Sequence, residues 1–265
     1  MMQTARAISS VAAVQARETG LRKDRNVTSA IPFPAAVLLP GTGSDETFVR
    51  SVFAGPLETV GVPLIAPPPP PGSALAEGYL TVLDEVAGKY GPVLVGGISF
   101  GAHLAAEWAV ANPGRCGGLL AALPAWNGLP GSAPASLAAR ISADLVAGSG
   151  VEPALAQAAA GSPPWLADEL ARAWRRHGDG LAASLRAAAG RAAPTLAELA
   201  AVGVPAGIGT CTDDPIHPTK VALEWAAALP RAAVVETTLA ALGTDRESLG
   251  RATVLAFLRC FLGAR

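Results

Sequence analysis

The chain is poor in what marks several common classes of protein. Among its 265 residues no apolar run approaches the roughly 18 needed for a membrane span, although 51% of the residues are hydrophobic and only 15% are charged. Cysteine occurs three times, at Cys116, Cys211 and Cys260. The number is odd and no CxxC or Cys/His ligand spacing is present, which excludes a disulfide framework and a zinc site and points to a reducing, cytoplasmic setting. There is no block of one charge. Twenty basic and 21 acidic residues leave a formal net charge of −1, so nothing in the sequence marks a nucleic-acid or anionic-lipid partner. A small-molecule or acyl substrate fits this balance. Histidine is the scarcest resource for acid–base chemistry, with His103, His177 and His217 only.

What is present is a pattern of short buried strands alternating with helices. "AAVLLPGTG" from Ala35 is a continuous apolar run closed by Pro and Gly, as for a strand buried on both faces. Ser44 follows as a helix-start signal, and Gly55-Pro56 reads as the break of that helix. "VPLIAP" (62–67), "PVLVGG" (92–97) and "GGLLAALPAW" (117–126) read as further strands, with helices over Ser73–Lys89 and Phe100–Ala111 between them. This alternation predicts βαβ units and an α/β fold with a mostly parallel sheet flanked by helices. Residues 127–200 break the pattern; they are Ala-rich and helical in period, and read as an inserted helical cap. The alternation then resumes with "VPAGIGTC" (204–211), a helix from Thr219 to Ala228, "AAVVETT" (232–238) and a closing helix from Arg246 to Leu262. The core is therefore expected over 35–126 and 201–265. Residues 1–34 read as a poorly ordered N-terminal extension: the weak apolar run after Arg6 faintly imitates a signal or transit peptide, but it is interrupted by Ser9, Ser10 and Gln15 and followed by a polar cluster, which leaves export as the lesser alternative.

Gly97-Ile98-Ser99-Phe100-Gly101 stands between a predicted strand and a predicted helix. Glycines on both sides of a serine let the backbone take a strained turn that lifts the hydroxyl above the strand ends, at the positive end of a helix. Upstream, "LLPGTGS" closes the first strand with a Gly-rich turn able to aim a backbone N–H at the same place. Downstream, "GTCTDDPIHP" supplies Asp213 and Asp214, which could cap the following helix or orient a histidine.

In these parts and their order the chain resembles the α/β-hydrolase fold, over about residues 35–262. The resemblance implies an ester- or thioester-cleaving serine hydrolase without cofactor or metal. Its nucleophile would be Ser99, and its oxyanion donors the amides of Thr42, in Pro40-Gly41-Thr42-Gly43, and of Phe100. Asp214 matches the DxxxP spacing of the acid loop, with Asp213 as second choice. "SFGAHLA" resembles esterases in which the histidine four residues after the serine, here His103, is not the base. The sequence departs from the family after the last strand: the loop that should carry the catalytic histidine reads Leu239 to Asp245, and no histidine follows His217. Two readings stay open. Either His217 serves as base with His103 as second choice, or the fold has lost its base and serves as a ligand-binding or regulatory protein. His177, beside Arg175 and Arg176, reads as the solvated end of a helix. Trp165, Leu166, Leu170 and Trp174 have the spacing of a packing face, and Trp126 reads as the aromatic facing the pocket.

Overall fold

The computed structural model describes residues 31–263; the N-terminal extension expected over 1–34 lies, up to residue 30, outside the described residues. Six strands form one parallel sheet: β1 (Ala36–Leu39), β2 (Leu64–Ile65), β3 (Val93–Ile98), β4 (Cys116–Ala122), β5 (Ala206–Cys211) and β6 (Ala232–Thr237). Their order across the sheet is β2-β1-β3-β4-β5-β6. The chain runs outward from β1 to β2, returns to pair β3 with β1, and then proceeds stepwise the other way. The reversal between β1 and β3 leaves a crevice at their carboxyl ends, where open α/β sheets bind ligands. Leu39 and Gly97 are paired across that junction, so the turns that follow the two strands, Pro40–Gly43 and Gly97–Gly101, stand side by side.

The strands are short and apolar because both faces are covered. Helices α1 (Glu46–Thr59), α2 (Leu75–Tyr90), α3 (Phe100–Ala111), α9 (Thr219–Ala228) and α11 (Glu247–Leu262) provide the cover. On one face Tyr79, Leu83, Trp108 and Trp225 pack with Val37, Val95 and Ile208. On the other Val49, Phe53, Leu249 and Phe257 pack with Leu38, Leu94 and Leu120. Ile31 and Phe33 belong to this core rather than to an extension: Ile31 is buried and its N–H donates to Val60 O at 3.2 Å, while Phe33 meets Phe257 and Phe261 edge-on.

Three local departures from the sequence expectation have physical reasons. Asp45, not Ser44, caps α1, its Oδ1 accepting from the N–H groups of Thr47 (3.0 Å) and Phe48 (3.1 Å). Gly55-Pro56 does not end α1. The helix runs through to Thr59, and the carbonyl of Val52 that Pro56 cannot bond is covered by α11, whose Gly250 approaches so closely that a Cβ there would stand 1.9 Å from Val52 O. The strand expected over 117–126 stops at Ala122, because Leu123 takes φ 52° and Pro124 cannot donate to a ladder.

Between β4 and β5 the chain makes five helices: α4 (Pro134–Ser149), α5 (Val151–Ala160), α6 (Pro164–His177), α7 (Leu181–Gly190) and the single turn α8 (Leu196–Leu199). Trp174, Leu181 and Leu185 gather with Ala143, Ala154 and Leu155 into a small core of their own. Trp165 lies outside it, packed with the α1/α11 side of the sheet.

Candidate active site

Ser99 sits at the corner between β3 and α3 with φ 53° and ψ −114°. Only one other non-glycine residue among those described, Leu123, has positive φ. Such a conformation costs on the order of 1–3 kcal/mol and persists only where the surroundings impose it. Here they do, through close backbone approach: a Cβ on Gly97 would stand 2.4 Å from Leu39 O, and one on Gly101 would stand 2.1 Å from the same atom. The two glycines of GxSxG are thus required by the neighbouring strand end. They hold Ser99, 8% exposed, above the sheet.

His217 reaches Ser99 from the loop after β5. Its Nε2 lies 2.9 Å from Ser99 Oγ, and its Nδ1 lies 2.7 Å from Asp214 Oδ2. An ionised carboxylate only accepts, so Nδ1 carries the proton and Nε2 is left to accept from the serine hydroxyl. Asp214 is held in turn by the N–H groups of Ile216 (2.8 Å) and His217 (3.2 Å) on Oδ1. Burial acts to raise its pKa, but the bond to His217, the favourable electrostatics of that ring and these two N–H groups outweigh it and hold the carboxyl below its ordinary 3.8. Neither aspartate caps α9, whose N-cap position is Pro218.

The Pro40–Gly43 turn touches the serine corner: a Cβ on Gly41 would stand 3.5 Å from Ser99 Cβ. Among the described residues neither the Thr42 nor the Phe100 N–H is engaged by a hydrogen-bond acceptor, and Phe100 opens α3, where the first amides of a helix are free.

The second-choice residues have other partners. His103 is buried; its Nε2 accepts from the N–H of Ala125 at 3.0 Å, and its ring stands edge-on to Trp126 at 4.4 Å. Burial, and secondarily the nearby His217, pushes its pKa down to about 3. Trp126 is buried in this contact, with its carbonyl accepting from Trp225 Nε1 at 3.3 Å. His177 is not on a solvated helix end, since its Nε2 lies 3.0 Å from Ser44 O. The Cys211 thiol, buried and close to Asp214 and Asp213, is pushed up to about 12 and stays protonated. Among the described residues no group of three or more His, Cys, Asp and Glu side chains is placed to hold a metal ion, and no helix is long and apolar enough to cross a membrane.

Residues 21–243 match the sequence profile of the alpha/beta hydrolase family. The chain belongs to that family. No curated protein matches it by sequence. Solved structures of similar fold include a thermophilic esterase from Thermogutta terrifontis (19% identity over 79% of this chain and 81% of that one, TM-score 0.58). Others are the enol-lactonase from Burkholderia xenovorans LB400 (17%, 89% and 93%, TM-score 0.66) and a hydrolase from Oleispira antarctica (16%, 87% and 93%, TM-score 0.67). At such identities the likeness is one of fold.

This alpha/beta hydrolase forms a helix after β6, α10 (Leu239–Thr244), where the sequence predicts a loop. Charged side chains from both directions clamp it. Asp213 accepts from the N–H groups of Leu239 (2.5 Å) and Ala240 (3.4 Å) at its start. Arg246 donates to the carbonyls of Leu242 and Gly243, each at 2.7 Å, at its end. Asp213 is therefore committed to α10 and does not orient His217. An Asp213→Ala variant should lose about 1 kcal/mol of stability in urea unfolding, as for a lost helix cap, while its ester turnover stays within about threefold of the parent. A loss of turnover without a loss of stability would contradict this division between Asp213 and Asp214.

Proposed function

We propose that the protein is a serine hydrolase acting on a small or acyl ester or thioester. The observation that carries this reading is the unbroken chain of hydrogen bonds from Ser99 Oγ through His217 to Asp214. A serine hydroxyl is a poor nucleophile at neutral pH until a base accepts its proton, and the His217 tautomer argued above leaves Nε2 free to do so. In the proposed reaction Ser99 Oγ attacks the acyl carbonyl as its proton passes to Nε2. The carbonyl electrons move onto oxygen, and that oxyanion is received by the N–H groups of Thr42 and Phe100. Collapse breaks the bond to the alcohol or thiol, which takes the proton from the imidazolium. Water then repeats the sequence in reverse roles to release the acid and free Ser99. Asp214 stabilises the imidazolium throughout without itself being protonated.

In this reading residues 127–200 are a cap that, with the sheet, bounds the acyl site. Three free thiols, Cys116, Cys211 and Cys260, fit work in a reducing cytoplasm. The rival reading, a ligand-binding protein without its base, finds no support in a histidine at hydrogen-bonding distance from the serine. The test is direct. A fluorophosphonate probe should label the wild type at Ser99, found by peptide mass, and should leave Ser99→Ala unlabelled; p-nitrophenyl acetate or butyrate should be turned over by the first and not by the second. A wild type that neither labels nor hydrolyses would end this proposal.

A further inference from the structure

The residues that follow Thr42 are each held by one helix of the insert. Gly43 has φ +66°, and a Cβ on it would stand 2.8 Å from Trp174 Nε1; Trp174 is 4% exposed. Ser44 O lies 3.0 Å from His177 Nε2. Asp45 is gripped by both ends of one guanidinium, with Arg172 Nη2 2.7 Å from Oδ1 and Nε 3.1 Å from Oδ2. Glu46 is paired with Arg176. Four consecutive residues of the core thus meet four residues of α6. Arg172 is braced from behind by Glu169, which faces Arg246 at 3.9 Å, and the Arg246 guanidinium lies 4.5 Å from the centre of the Trp165 ring.

This arrangement exceeds what capping α1 needs. Asp45 already satisfies the first N–H groups of α1 through Oδ1, and an N-cap aspartate does that work at a solvated helix end without an arginine. Yet the Asp45 side chain is fully buried, and a buried carboxylate is costly unless paired. Arg172, from a segment 127 positions away in sequence, is the guanidinium that pairs with it. On its other side the turn is fixed by the contact of Gly41 with Ile98 O and Ser99 and by its own Ser44 N–H to Gly41 O bond of 3.0 Å. The direction of the Thr42 N–H is therefore set between the serine corner and α6.

We propose that Arg172, with Trp174 and His177 beside it, positions the oxyanion turn, so that the serine site is complete only while the helical insert is seated on the core. This rests on the serine-hydrolase reading above. It makes Arg172 a positioning residue: it acts on the developing oxyanion through Asp45 and the backbone of 42–44, not by contact with substrate. A misplacement of about 1 Å at a reacting group can cost on the order of 100-fold in rate.

The test compares wild type, Arg172→Met and the pair Asp45→Asn/Arg172→Met, which removes the buried charge together with its partner and keeps an amide able to cap α1. With p-nitrophenyl acetate, kcat should fall about 10- to 100-fold in both variants, with KM changed less than about threefold, as for an interaction realised in the transition state. The affinity of an aryl trifluoromethyl ketone, which forms a tetrahedral oxyanion on the serine, should fall in parallel. In Arg172→Ala, millimolar guanidinium should restore part of the lost kcat and leave the wild type unaltered. A role confined to stability predicts a lower Tm with kcat and ketone affinity unchanged at a temperature where all variants are folded, and that result overturns the proposal. If Arg172→Met does not fold, the paired variant decides by the same readouts. A wild type inert toward both ester and ketone would overturn the serine-hydrolase reading and this inference with it, whereas an active wild type with undiminished variants overturns this inference alone.

Discussion

Replacing His217 by alanine should lower kcat for a short-chain p-nitrophenyl ester by about 10⁴-fold or more, the scale on which single members of a serine triad act. The size of the effect follows from geometry: His217 Nε2 is the basic atom at 2.9 Å from Ser99 Oγ, and without it the hydroxyl proton has to leave to water. His103 cannot substitute, because its Nε2 already accepts from Ala125 N–H. Its other ring nitrogen, Nδ1, is buried without a partner and carries the proton of the neutral ring. Asp214→Asn should cost a similar factor. An amide in place of the carboxylate can donate to Nδ1, which favours the tautomer that protonates Nε2 and removes its acceptor. Because the residues act as a unit, Ser99→Ala/His217→Ala should be no worse than Ser99→Ala alone. Removing His217 leaves the nearly buried Asp214 without its side-chain partner and lowers stability, so kcat is compared at a temperature and pH where urea unfolding shows each variant folded. A His217→Ala enzyme within tenfold of wild type would place the base elsewhere.

The second large effect is on stability and comes from the other histidine. His103 is neutral in the folded protein down to about pH 3, whereas its ordinary value is 6.5. Between those values the unfolded chain binds the additional proton, so folded-state stability falls as pH falls, by up to roughly 1.4 kcal/mol per pH unit. From pH 6.5 to 4.5 this amounts to about 2 kcal/mol, a sizeable part of the roughly 5–15 kcal/mol that holds a typical domain folded. The sign is the same for the two lowered carboxylates, but the window differs. Asp45 and Asp214 are both held below 3.8, so their stabilisation is present above that value and is lost only as pH drops through their lowered pKa values. His103→Gln keeps an acceptor for the Ala125 N–H and does not titrate. Its stability by urea unfolding should therefore be flatter than that of wild type between pH 6.5 and 4.5, by about 2 kcal/mol over the interval. Parallel curves for the two proteins would show that His103 is not held neutral.

Much of this site is legible in the sequence because its parts are local. The strand–turn–helix around Ser99 follows from an apolar run, two glycines and an Ala-rich apolar segment, and α3 and α9 occupy the spans the pattern gives, Phe100–Ala111 and Thr219–Ala228. Asp214 and His217 are three residues apart, so one loop carries both. Asp213 and Asp214 have the same chemistry, and only the DxxxP spacing of the resemblance ranks Asp214 first; what the pattern could not give is the partner that occupies Asp213, the free N–H groups of α10. Arg172 and His177 left no local signal at all. A basic helix end reads as solvated unless its partners are known, and here they are the backbone carbonyl of Ser44 and the carboxylate of Asp45, more than 120 positions away in the chain.

The sequence by itself determines the parallel α/β class, the serine corner between strand and helix and the loop that carries Asp214 and His217, since each depends on periodicity and turn chemistry within a few residues. Only the tertiary structure decides that His217 points at Ser99 rather than into solvent, that His103 is locked away, and that the helices between β4 and β5 grip the turn beside the serine. Those outcomes depend on distances between residues remote in sequence, and such distances are set by how the sheet brings the ends of β1, β3 and β5 to one edge.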